Sequence, residues 1–544
     1  MVASIRLLCF CSCLAITANA FELSSFLPFL KSTHEGAALE ISETAVHRVA
    51  IIGAGAGGSS AAFWISKAKR RSEVEVEVDV YEASEYIGGR STVVYPYNNT
   101  QLKPVELGAS IFVKNNKNLW RASQEFNLTR FNFEDDDDET GIWDGEKFVL
   151  TLGGGKTFWS SWWDNLKLLW RYGYSSPTNT QKLVLSMLTR FVTLYTPESP
   201  RFENVSSLTT DFQWQELLIR TGAEYFDVHG ISRKFSREII EAATRVNYGQ
   251  NLDRIHALES ACSLAASGAS SIQGGNFQMF ENFLKKSGAQ VHLNTTVKTL
   301  EHKDGLWYLT TSTSIRPTAY NNIILAAPFH STGISLSPSS LASQIPEQPY
   351  VHLHVTLLST TAPHPNPAYF GFKDTARVPT TILTTYEGVR VSGVKEPEFN
   401  SLTYHGLVDE SAPEGEREWV VKIFSKVRLE DEWLAEVFGG KVGWVYRKEW
   451  DAYPELPPTI KFPPIKLEKG FYYVNAFEPF ISTMETETIS ARNIVDILFR
   501  DEFDTGICPP PVLEQFEGEG EQEVLQIEKI TKKTSDDFVL GWEC

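Results

Sequence analysis

At 544 residues and a net charge of −18, the chain is too long for one ordinary core and too acidic to favour nucleic acid as a partner. Its residues are 42% hydrophobic and 12% aromatic, a globular composition rather rich in rings. No apolar run after the first twenty residues reaches the length of a bilayer span.

The amino end reads as a secretory signal over residues 1–20: Arg6, the apolar run "LLCFCSCLAI", then Ala18-Asn19-Ala20 as a small-residue cleavage site. That run is too short for a membrane anchor. Its removal takes away Arg6 and no acid, so −18 becomes −19. Residues 21–45 form a leader. Four sequons, at Asn98, Asn127, Asn204 and Asn294, fit a secretory route ending in a vacuole, a lysosome or the extracellular space.

The first strand and helix follow in "VAIIGAGAGGSSAAFWI". Gly53, Gly55 and Gly58 stand in a G-x-G-x-x-G pattern between a buried-strand run (Val49 to Ile52) and a helix of small residues. Gly53 permits the tight turn, Gly55 lets the backbone approach a pyrophosphate, and Gly58 lets helix and strand pack closely. Free amides at the helix start then face phosphate charge. The second strand, "EVEVEVDVY", alternates strictly and ends at Glu82, placed to accept from ribose hydroxyls and to disfavour a 2′-phosphate. Next come Gly88, Gly89 and Arg90. Two glycines let the chain cross an extended cofactor a second time, and an arginine can neutralise pyrophosphate charge. A second crossing suits FAD rather than NAD.

From Asn118 the chain turns helical and ring-rich, with Leu183, Met187, Leu188, Phe191 and Tyr195 recurring at helical spacing. Strand patterns return between Val291 and Pro328 and over 350–450. A strand from Phe471 leads to a final helix, "ISARNIVDILFR", and 509–544 reads as an acidic mobile tail. Cys262, Cys508 and Cys544, the cysteines beyond the signal, give neither a disulfide framework nor a metal site. The six acids Glu134 to Glu139 are contiguous, so they read as a solvated loop rather than a calcium site. His352 and His354 share a strand face, yet no third ligand is evident and no metal is expected. No Gly-x-Ser-x-Gly elbow offers hydrolase chemistry.

With the block Gly53 to Arg90, the segments "VELGASIF" (105–112), "VHLNTTVKTL" (291–300) and "NNIILAAP" (321–328) resemble the FAD-dependent amine-oxidase-like superfamily. "LLWRYGY" (168–174), "RVNYGQN" (245–251), "IQGGNFQMF" (272–280) and "FYYVNAFEPFISTMETETISARN" (471–493) narrow the likeness to the prenylcysteine oxidase, or prenylcysteine lyase, family. One departure from the wider superfamily is the lack of a Gly-Asp pair before the last helix, which weakens an amine-oxidase reading. The resemblance implies an α/β fold: a Rossmann-like FAD-binding domain of three-layer ββα/βα architecture with an interleaved α+β substrate domain. The first would be assembled from 46–113, 230–330 and 466–500, the second from 114–229 and 331–465. It also implies that Gly108 and Ala109 line the flavin, that Val297 holds the adenine through its backbone, and that Met484 and Glu485 offer amides to the pyrimidine ring.

The family reaction implied is oxidative cleavage of S-farnesyl- or S-geranylgeranyl-L-cysteine by oxygen and water. Its products are a prenyl aldehyde, cysteine and hydrogen peroxide, in the breakdown of prenylated proteins. The flavin carries the hard step, so no acid–base pair is demanded and none is assigned. Rings in "FWSSWWDNLKLLWRYGY", chiefly Trp162, Trp170 and Tyr172, are candidate walls for the prenyl chain; helical core and a membrane-resting face are the other readings. Asn247, Tyr248 and Gln250 are candidates to hold the amino-acid end or a water near the reacting carbon, with a structural turn as the alternative; Glu478 is similar. The rival functions are a secreted flavin amine or polyamine oxidase, and a flavin-fold carrier or interaction protein without turnover.

Overall fold

The computed structural model describes residues 46–132, 139–153, 158–266, 268–373, 375–509 and 538–544, with backbone alone at 158–163 and 165. The signal, the leader, Glu134–Asp138 and residues 510–537 of the tail lie outside the described residues.

A six-stranded sheet runs in the order Lys466–Glu468, Phe471–Tyr473, Asn322–Leu325, His47–Ile52, Val76–Tyr81, Gln290–His292. All its pairings are parallel except that of the first two strands. The strand His47–Ile52 takes the middle because its apolar run tolerates burial on both faces; Val49, Ala50 and Ile51 expose nothing. Ile52 lies opposite Tyr81 and Leu325, so three strands end at one edge, where open parallel sheets bind ligands. The strand expected from Glu73 starts only at Val76, because Glu73 closes the preceding helix at φ 54°.

The helix Ala56–Ser72 opens with buried small residues, Gly57 to Ala62, which lets a second helix, Met484–Phe503, lie close. The Trp64 indole N–H donates to the Thr488 carbonyl at 3.1 Å across that contact. Met484–Phe503 is buried from Glu485 to Phe499; a Thr483–Thr486 capping box starts it and Asp504, left-handed, ends it. A four-stranded sheet, in the order 318–320, 306–311, 297–303, 335–337, adds a further layer.

A seven-stranded mixed sheet runs in the order 442–454, 350–360, 419–425, 401–407, 381–384, 140–143, 148–152. Period-two alternation gives its two faces separate clusters: Leu353, Val355, Leu357, Val420 and Phe424 on one, Leu358, Val421 and Ile423 on the other. Helices Ser175–Phe191, Glu241–Tyr248 and Ala257–Leu264 belong to the intervening helical block.

Two expectations are corrected at the carboxyl end. Cys508 and Cys544 form a disulfide across 36 positions, a pairing that their distance in sequence concealed. The end of the tail is also anchored: Trp542 is buried against Phe63 at 5.0 Å and Trp64 at 5.5 Å, and Arg71 donates to the Gly541 and Trp542 carbonyls.

Candidate cofactor and substrate site

The glycines of the first turn differ in what compels them. At Gly53, φ is +106° and a Cβ would lie 2.4 Å from the Ala326 carbonyl oxygen; at Gly58 it would lie 1.9 Å from that of Gly53. The fold itself demands both. At Gly55 the nearest protein atom to a Cβ is the Gly89 Cα, 3.8 Å away, so only something entering the cavity would need the space. The second crossing lies directly against the first: the Gly88 amide donates to the Ala54 carbonyl at 3.0 Å.

These turns wall a cavity of about 420 Å³, with Glu82, Arg90, Trp450, Asn475, Glu478 and Glu487. Glu82 is fixed at its floor by the Ala54 amide at 2.8 Å and by Ser84, keeping lone pairs for further donors. Arg90 departs from the simple expectation. Its guanidinium pairs with the buried Glu478 carboxylate at 2.5 Å and donates to the Ala452 carbonyl at 3.0 Å, so its charge is already matched. Glu478 also accepts from the Tyr350 hydroxyl at 2.5 Å and the Asn475 amide at 3.1 Å. Burial opposes the arginine's charge, yet Glu478 and Tyr350 hold its pKa above the ordinary value.

Four buried polar atoms in this wall have no partner among the described residues: Ser91 Oγ, Trp450 Nε1, Asn475 Oδ1 and Glu487 Oε1. Unmet groups of this kind cost stability unless a ligand meets them. Burial, and then Glu478, push the Glu487 carboxyl well above its usual range, which disfavours a bare negative charge facing the cavity. A nucleotide edge, a cradle for pyrophosphate and a second crossing fit FAD.

A second cavity, about 360 Å³ and mostly apolar, adjoins the first. Gly108, Ala109, Tyr453, Ser482, Thr483 and Met484 line both, and this shared strip is where cofactor and substrate would meet. Gly108 is compelled by crowding, since a Cβ would strike the Arg90 carbonyl at 2.1 Å and the Trp450 ring at 2.8 Å. Met484 begins the last helix, whose first amides lack intrahelical partners. Glu485 lines the second cavity, but its side chain accepts from the Asn118 and Leu119 amides at 2.8 and 3.0 Å and from the Tyr195 hydroxyl at 2.6 Å. Burial raises that carboxyl to about 7.

Residues 156–505 match the prenylcysteine lyase family. The chain belongs to that family. Residues 51–126 match the NAD(P)-binding Rossmann-like domain. Farnesylcysteine lyase of Arabidopsis thaliana is 29% identical over 468 residues, 83% of this chain and 87% of that one. Prenylcysteine oxidase 1 of Homo sapiens is 28% identical over 475 residues, 82% of this chain and 87% of that one. Among solved structures, wild-type putrescine oxidase bound to putrescine aligns with a TM-score of 0.55 at 14% identity, over 84% of this chain and 99% of that one, a likeness of fold.

In this lyase-family chain the apolar cavity gathers only some of the expected substrate residues. Asn247 and Tyr248 line it; Asn247 donates to the Ser263 carbonyl at 3.3 Å. Gln250 does not: it ties Pro454 and Leu456 backbone groups at 3.0 and 2.9 Å, a structural clamp. Trp170 is corrected too, standing 88% exposed, and Tyr172 is buried elsewhere with its hydroxyl on Glu238 at 2.7 Å. The Trp162 side chain lies outside the described residues. Val297 lines neither cavity, and its side chain packs into the main core.

The prenylcysteine lyase fold supplies walls from Met187, Leu188 and Phe191 instead, whose helical spacing was legible but not their destination. It also brings in groups that no motif announced. Lys422, buried on the strand Trp419–Ser425, donates to Ser110 at 2.9 Å beside His405 and Glu106. Burial lowers Lys422 to about 8 against the pull of Glu106, and lowers His405 to about 3. Glu259, beside Tyr248, is pushed up to about 8 by burial. A lone lysine within the apolar run "VVKIF" was the one available signal, since lysine is almost never buried without purpose.

Proposed function

We propose that this chain is an FAD-dependent oxidase that cleaves S-prenyl-L-cysteine to a prenyl aldehyde, cysteine and hydrogen peroxide. The observation that carries the reading is an apolar cavity with one buried cation, opening onto a dinucleotide cradle along Gly108, Ala109 and Met484. When bound, FAD supplies the two-electron oxidation of the allylic carbon next to sulfur. The protein's part is to bind, orient and dry the substrate.

Met187, Leu188 and Phe191 take up isoprenoid surface at about 0.8 kcal/mol per methylene-sized group. The Lys422 ammonium is the group offered to the substrate carboxylate, and Tyr248 and Asn247 stand beside the amino-acid end. A polyamine fits poorly, since its cations would meet Lys422 and find Glu485 engaged by three donors.

Two finer points belong to the same reading. Leu166, Leu169 and Trp170 lie exposed on one helical face, and Tyr174 and Leu185 further along the chain are exposed as well. The helix carrying Leu185 also carries the cavity wall, which supports peripheral docking on lipid where prenylated remnants partition. No helix among the described residues is long and apolar enough to cross a membrane. A secretory destination, vacuolar, lysosomal or extracellular, is supported by the Cys508–Cys544 disulfide and by four exposed sequon asparagines, Asn98, Asn127, Asn204 and Asn294.

The test is anaerobic. Yellow, purified protein mixed with S-farnesylcysteine should bleach, then on admission of air release farnesal and peroxide. Bleaching by putrescine or spermidine alone would support the amine-oxidase rival, and colour that no thioether or amine removes would support a carrier.

A further inference from the structure

We propose that His352, His354, Glu449 and Asp451 form a surface site for one divalent transition-metal ion. The strand Tyr350–Thr360 pairs antiparallel with Val442–Pro454, and the register sets His352 opposite Asp451 and His354 opposite Glu449. Period-two alternation then puts both imidazoles and both carboxylates on one face of the pair.

The atoms are close. His352 Nδ1 is 3.1 Å from Asp451 Oδ1, His352 Nε2 is 3.8 Å from Glu449 Oε2, and His354 Nδ1 is 3.7 Å from Glu449 Oε2. One ligand atom each from His352, His354 and Glu449 can be drawn within 4.8 Å of one another. Ligands in tetrahedral contact with zinc lie roughly 3.4 Å apart at ordinary bond lengths, so small rotamer changes close the site.

Ordinary cross-strand ion pairing explains the arrangement less well. It leaves two of the three contacts beyond hydrogen-bond distance, at 3.8 and 3.7 Å, in solvent-facing pairs that contribute little. A metal ion takes both rings neutral and uses both acids. The mixed nitrogen and oxygen donors suit Zn²⁺ or Cu²⁺ and not Ca²⁺ or Mg²⁺, which prefer oxygen alone.

The place matters as well. Leu353, between the two histidines, and Trp450 and Asp451 on the paired strand line the cofactor cavity. A bound ion would staple the two strands that form that wall.

Untagged, FAD-loaded protein, stripped with a chelator and titrated with Zn²⁺ against a chromophoric indicator, should bind one equivalent at micromolar concentration. His352→Ala/His354→Ala should weaken this by at least about tenfold while keeping flavin content and peroxide production. Cu²⁺-loaded wild type should show nitrogen hyperfine coupling by electron paramagnetic resonance, absent from the double variant. Wild type that holds Zn²⁺ no more tightly than the variant, or a copper spectrum without nitrogen coupling, overturns the site.

Discussion

Gly55 and Gly58 are three residues apart, yet they are glycines for different reasons. Gly55→Ala puts a methyl group into open cavity, 3.8 Å from the nearest protein atom. The apoprotein should melt near the wild-type temperature while FAD affinity falls by at least about tenfold, or ~1.4 kcal/mol. Gly58→Ala places the same methyl 1.9 Å from a carbonyl oxygen and should lower the melting temperature itself. Differential scanning fluorimetry with and without FAD separates the two. Lys422 gives a pH test. Its folded pKa of about 8 lies below the unfolded 10.5, so the cation is present below pH 8 and lost above it. The KM for S-farnesylcysteine should climb as pH rises through 8 in the wild type relative to Lys422→Met, a comparison in which titration of the substrate amine cancels. The same depression makes this group's contribution to folding rise with pH between 8 and 10.5, because there the unfolded chain binds more protons. At this scale the cofactor glycines were legible because backbone approach admits a single residue type. Lys422, His405 and Glu259 were not, since three distant segments converge with no shared spacing.

Helix Ser175–Phe191 holds the clearest division of labour at the level of elements. Met187 and Phe191 face inward to the cavity, while Leu185 stands exposed, as do Leu166, Leu169 and Trp170 of the preceding helix. Phe191→Ala should lower kcat/KM for S-farnesylcysteine roughly 10- to 100-fold, the cost of about 1.5–3 kcal/mol of lost apolar burial. Leu169→Ser/Trp170→Ser should leave the fold intact and reduce co-flotation with phosphatidylcholine–phosphatidylserine vesicles; equal flotation would dismiss the docking strip. Sequence periodicity located both helices and the apolar stripe. It could not say which stripe meets substrate and which meets solvent, because rings at helical spacing suit either. Trp170, expected in the slot, is therefore outside it, and the quieter Met187 is within.

Over the whole molecule, residues far apart in sequence complete single structural units. The disulfide between Cys508 and Cys544 closes a long loop and holds Trp542 against the glycine helix. Cys508→Ser/Cys544→Ser should cost about 4 kcal/mol by loop-closure entropy, a fall of roughly 4 °C in Tm for a chain this long. An unchanged Tm would show that aromatic packing alone secures the segment. Two cysteines so widely separated carry no local sign of partnership, whereas strand patterning over 350–450 was readable, though neither the strand order nor the two members at 140–143 and 148–152, which lie in a stretch read as helical, could be foreseen. That order has a temporal consequence. The strand at 47–52 needs a neighbour from 322–325, which needs another from 471–473, and the helix from Met484 seals them. A growing polypeptide displays its phosphate loop early but has nowhere to lodge a flavin until nearly five hundred residues have been polymerised, so pigment capture must be a late event in biosynthesis.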